Sequence, residues 1–112
     1  MKTSILSLAA ASAALMGAAM AEECELNAQT PEMPNPKEAT AEDRAATLTA
    51  IKDYQAALGV YRECLDTVVA NEELEVEVRQ AALESFNKTV ETETKMVENW
   101  QKFDKKYQKE NS

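Results

Sequence analysis

The sequence predicts an all-α fold: a two-helix antiparallel hairpin, coiled-coil-like, with an extended N-terminal Pro-rich arm tied back by a disulfide. Three observations carry this. Apolar residues recur at heptad spacing from Ile51 onward, and all three prolines fall between Pro31 and Pro36. The only two cysteines, Cys24 and Cys64, follow a leader built like an export signal.

The leader spans residues 1–21. Lys2 supplies a positive start, and Ile5 to Met16 form an apolar stretch of about a dozen residues. Ala19-Met20-Ala21 then places small residues before a cut at Glu22. The mature chain would run over residues 22–112, enough for one small domain. Export implies an oxidising compartment, periplasmic or secreted, where two thiols are most economically one disulfide. An intermolecular bond or a redox-active pair is the alternative, though no Cys-x-x-Cys motif is present. An uncut leader would be a membrane anchor, but its apolar stretch is well short of the ~20 residues that span a bilayer. Cys24 is the third residue past the cut, so it is not placed as a lipid-bearing first residue.

The chain carries 12 basic and 20 acidic residues, a net charge of −8 that becomes −9 when Lys2 leaves with the signal. Such acidity disfavours nucleic acid, whose affinity comes mostly from Lys and Arg displacing counterions. It also disfavours anionic membrane surfaces. Beyond the leader no apolar run approaches 18 residues, so no membrane association is expected after cleavage. There is no histidine, which removes the commonest general base, metal ligand and pH switch together. No nucleophile–base pair and no metal set is visible, so neither catalysis nor a cofactor is expected.

Residues 22–39 read as the arm, because proline fixes φ, removes donors and pushes its preceding residue out of the α region. Residues 40–112 read as the hairpin. Thr40 is an N-cap ahead of Ala41-Glu42-Asp43, with acids at the positive helix end. The first helix, about 41–69, carries Ile51, Tyr54, Leu58, Tyr61, Leu65 and Val68 at alternating spacings of 3 and 4. Ala70-Asn71 is the break. Leu74, Val76 and Val78 alternate with charges like a strand, but a single strand has no partner to form a sheet. They are therefore assigned to the start of a second helix, about 72–109. Its stripe is Leu83, Phe86, Val90, Val97, Trp100 and Tyr107, interrupted by Glu93 and Asp104. Lys102, Lys105, Lys106 and Lys109 gather at its negative pole. So short a connection makes the helices antiparallel neighbours.

On that hairpin Cys64 lies about 36 Å from Thr40 along the first helix. The arm from Cys24 reaches about 50 Å when extended, so a Cys24–Cys64 bond requires it to fold back over the helices. Trp100, Phe103 and Tyr107 form an aromatic stripe, the candidate partner interface. Pairing about residues 70–71 puts Trp100 opposite Ala41 and leaves Phe103 and Tyr107 beyond the first helix. Either Met33, Pro34 and Pro36 of the arm cover these rings, or they are a seam for a protein partner or a homo-oligomer. Glu72, Glu73, Glu75 and Glu77 offer oxygens to a cation, without EF-hand spacing or a turn glycine. Asn87-Lys88-Thr89 matches the N-glycosylation pattern in the middle of a helix.

Cys24 with Pro31 and Pro34, Tyr61-Arg62-Glu63-Cys64-Leu65, Phe86-Asn87 and Phe103-x-x-x-Tyr107 together give the chain a family likeness. It resembles small uncharacterised periplasmic helical proteins of Gram-negative bacteria. The acidic stretch from Asn71 to Val78 departs from that pattern. The resemblance implies periplasmic localisation and hairpin architecture, and no activity. The expected function is a non-catalytic module that binds protein or itself, with an acidic cation- or small-ligand-binding protein as the alternative.

Overall fold

The computed structural model describes residues 24–112; the leader and its cleavage site lie outside the described residues. Two helices, α1 (Ala41–Ala70) and α2 (Val76–Glu110), form an antiparallel hairpin, and there is no strand among the described residues. The Cys24–Cys64 disulfide ties the arm back against α1.

The arm enters α1 through a turn centred on Asn35. Its Oδ1 accepts from the Lys37 N–H at 2.9 Å, and its carbonyl accepts from Glu38 and Ala39 at 3.0 and 2.9 Å. Thr40 then caps the helix reciprocally with Asp43. The Asp43 N–H donates to the Thr40 hydroxyl at 3.0 Å, and the Thr40 N–H to the Asp43 carboxylate at 2.9 Å. Two N–H groups without intrahelical partners are satisfied in one exchange.

The connection is longer than the break at Ala70-Asn71 suggests. Asn71 ends α1 by donating to Val68, and its side chain accepts from the Glu73 N–H at 3.0 Å. The Leu74 N–H closes a further turn onto the Asn71 carbonyl at 3.1 Å. Leu74 itself packs into the cluster formed by Cys24, Leu65, Val68 and Ala82. Residues 72–75 are thus turn rather than helix, and α2 begins at Val76. Arg79 locks the corner by donating from Nε to the Val69 carbonyl at 2.9 Å, a cation on the negative end of α1.

This turn resets the pairing. Gln55 meets Glu93 and Arg44 meets Asp104 across the seam, which puts Trp100 near the level of Leu48 and Tyr107 near Ala41. The expected register is displaced by about two helical turns. The aromatic residues lie alongside the start of α1 instead of beyond it.

The stripe expected on α1 is present: Ile51, Tyr54, Leu58, Leu65 and Val68 are buried and Tyr61 is half-buried, with Thr47 extending the row. On α2 the stripe differs by one residue. Ala82, Thr89, Met96, Phe103 and Tyr107 are buried, whereas Leu83 and Val90 are exposed. One residue is about 100° around a helix, so the face turns away at Leu83 and Val90, while Phe86, Trp100 and Tyr107 of the expected stripe still pack inward. The cause is fit beside the disulfide and under the arm. Ala82 is small enough to sit against Cys24, Leu65 and Val68, and the flexible Met96 fills the space between Ile51, Tyr54 and Leu58.

Candidate functional site

The hairpin has two long faces, and the arm covers one of them. Leu26, Ala28 and Met33 pack on the cluster of Ile51, Tyr54, Leu58 and Met96, with Trp100 at its border. Further along, Pro31, Met33, Pro34 and Pro36 border Phe103 and Lys106 across a shallow cleft of about 630 Å³. The arm is therefore a third, irregular layer.

That placement corrects the candidate partner interface. Phe103 is 4% exposed and Tyr107 9%, and Trp100 is half-buried. The rings run along α2 with centroids 5.6 Å apart for Trp100–Phe103 and 5.9 Å for Phe103–Tyr107. The Arg44 guanidinium sits over both Trp100 and Tyr107, at 5.3 and 5.8 Å from their centroids. α1 reaches these residues because of the register set by the turn, and the arm covers what remains. In this fold the aromatic stripe is core rather than an open surface.

Arg44 also donates from Nε to the Asp104 carboxylate at 2.7 Å. This hydrogen bond, with the attraction between the charges, holds the Asp104 carboxyl below its ordinary range and raises Arg44. A carboxyl depressed by folding stabilises above its unfolded pKa and stops doing so as the pH falls through its folded value. The contribution is complete above about pH 5 and fades below about pH 4. Asp104→Asn should therefore lower Tm at pH 6, with the difference from wild type closing toward pH 3 in thermal melts. A difference independent of pH would show that the charge on Asp104 is not what the ion pair uses.

The second face is polar at its centre. Arg62 donates from Nε to the Thr89 hydroxyl at 2.8 Å and pairs with Glu93 at 2.8 Å, while Gln55 donates to the other Glu93 oxygen at 3.1 Å. Thr89 in turn donates to the Phe86 carbonyl at 2.6 Å. Glu93, an interruption in the sequence pattern, is thus a seam residue, and its network favours one register because a slipped pairing strands the charges. These residues cross-link the helices.

Beside this network runs an apolar row. Val76, Leu83 and Val90 are 57%, 48% and 45% exposed, and half-buried Val97 continues them at the same seven-residue interval. Val76 and Leu83 border a crevice with Val69, Arg79 and Gln80, and Val90 lies among Glu91, Thr94, Lys95 and Glu98. No arm residue reaches either place. The arm lies near Ser85, Thr92 and Asn99, two residues on from Leu83, Val90 and Val97 and so about 200° around α2. Leu83, Val90 and Val97 were expected in the core, so sequence reasoning missed this face. The signal for it was the seven-residue interval beside the uncharged row Gln80, Asn87, Thr94 and Gln101.

Glu72, Glu73, Glu75 and Glu77 are all exposed on the turn and the start of α2. Among the described residues no three His, Cys, Asp or Glu side chains are grouped to hold a metal ion. Asn87 of the glycosylation pattern is exposed, but Thr89 is buried with its hydroxyl committed to Arg62 and Phe86. No helix among the described residues is long and apolar enough to cross a membrane. No protein-family model, no curated protein and no solved structure matches this chain.

Proposed function

We propose that this chain is a small exported protein-binding module, non-catalytic, periplasmic or secreted, working through the face opposite its arm. The observation that carries this reading is the open row Val76, Leu83, Val90 and Val97. Apolar side chains at a constant interval along a rigid helix are the pattern by which a partner helix is held. The disulfide supports export, because such bonds persist in oxidising compartments. The leader and the resemblance to small periplasmic proteins support the same address. A non-catalytic role is supported by the lack of histidine and by the use of the strongest ion pairs as links between helices.

A photo-reactive benzoylphenylalanine at Leu83 tests the reading inside the producing cell, with the same group at exposed Lys105 as control. Covalent adducts at position 83 well above those at 105 are expected. Equal yields at the two positions would remove the open face as the functional surface.

A further inference from the structure

We infer that the partner of this face is a second copy of the chain, its α2 lying antiparallel along the first α2. The inference rests on the reading of the open face as a binding surface and names its occupant.

The row is its own complement. Val76, Leu83, Val90 and Val97 are spaced evenly about a point between Phe86 and Asn87. Turning a second copy about that point sets Val76 against Val97 of the other chain and Leu83 against Val90, twice each. One two-fold axis satisfies all four positions, the isologous arrangement of a closed dimer. The adjoining row, Gln80, Asn87, Thr94 and Gln101, is exposed and uncharged, so closure desolvates no charge there.

Charge selects the direction. The turn and the start of α2 are acidic through Glu72, Glu73, Glu75 and Glu77, and its end is basic through Lys102, Lys105, Lys106 and Lys109. Antiparallel pairing lays the acidic end of each α2 beside the basic end of the other, and parallel pairing stacks like on like. Further in, the same two-fold brings Glu77 and Glu84 within one residue of the levels of Lys95 and Lys88 of the other copy. It also brings Glu98 and Glu91 of the same flank within two residues of Glu77 and Glu84, so it is the helix ends that set the direction. Attraction between the opposite ends acts against the repulsion between two acidic chains. The chain's own arm cannot take the place of the second copy. Cys24 is bonded to Cys64 on the other face, and a cut before Glu22 leaves two residues ahead of it.

Light scattering and sedimentation on the oxidised chain over a wide concentration range give the first test. A mass rising from one chain to two is expected, with Leu83→Asp raising the dissociation constant at least about tenfold by placing a charge in the contact. Leu83 is exposed in the single chain, so its melting should change little and loss of pairing is separable from loss of fold. Cysteine pairs then read the direction. Asn87→Cys should link to itself under oxidation, since the axis passes beside it. Thr94→Cys should not link to itself, being about 22 Å from its copy along the helix axis, but should link to Gln80→Cys in a mixture. Mass spectrometry confirms that Cys24–Cys64 stays intact. A single-chain mass at every concentration overturns the inference, as does a dimer indifferent to Leu83→Asp or one in which Thr94→Cys links to itself. A single-chain mass together with strong adducts from position 83 to a different protein refutes the second copy and leaves the binding face standing.

Discussion

Replacing Cys24 and Cys64 by serine should lower the stability of the chain by up to about 4 kcal/mol, the largest effect expected of any change outside the helix seam. The bond closes a loop across a sequence separation of 40, and opening it returns that conformational freedom to the unfolded chain. The folded state changes as well. Cys24 is part of the cluster with Leu65, Val68 and Ala82, so the anchored end of the arm loses its buried contact. The arm's other anchors are the side chains of Leu26, Ala28 and Met33, and without the bond they must hold it alone. Trp100 borders that layer, so its fluorescence should shift to the red, and Phe103 and Tyr107 should become accessible to hydrophobic dyes. Urea unfolding of the oxidised, reduced and doubly substituted proteins measures the first effect and Trp100 emission the second. Equal midpoints and equal emission would mean that the arm stays in place through its own contacts and that the bond adds nothing.

Leu58→Ala should cost about 3 kcal/mol, a large share of the 5–15 kcal/mol that holds a typical domain together. Leu58 is 0% exposed, and it lies where α1, α2 and the arm converge, among Ile51, Tyr54 and Met96. Removing its branched end leaves a hole bordered by three layers. The disulfide and the Arg62–Glu93 link on either side hinder these layers from closing over it. Leu83→Ala is the matched comparison, the same chemical change at a position 48% exposed, and should cost less than about 1 kcal/mol in the single chain. Urea midpoints at constant slope give both values. Similar costs at the two sites would mean that α2 is rotated from the orientation described.

The contrast between these two leucines shows why one helix was readable and the other was not. In α1 the residues that pack inward are also the large apolar ones, Ile51, Tyr54, Leu58, Leu65 and Val68, so periodicity and burial coincide. In α2 the inward row contains Ala82, Thr89 and Met96 together with Glu93, while Leu83 and Val90 point away. Thr89 and Glu93 are acceptable at the seam only because Arg62 and Gln55 meet them from α1, and nothing local in α2 announces that. The aromatic stripe was misplaced for a related reason. Its fate depended on the register, and the register depended on how Asn71 and Leu74 shape five residues of chain between the helices.

The sequence by itself determined the class of the fold, the N-cap at Thr40, the inward face of α1 and the proline arm, and made a single Cys24–Cys64 bond the most economical pairing. Each of these follows from short-range chemistry or from simple counting: a hydroxyl before a run of helix formers, a heptad interval, a ring that fixes φ, two thiols and no third. Only the tertiary structure decided which side of α2 faces α1 and therefore which apolar row stays open. A helix can bury any face whose polar groups find partners and whose shape fits its neighbours. On α2 the deciding contacts come from Arg62, from the disulfide and from the arm, all distant in sequence. They turned Phe103 and Tyr107 inward and left Val76, Leu83 and Val90 open to solvent, with Val97 half-buried beside them.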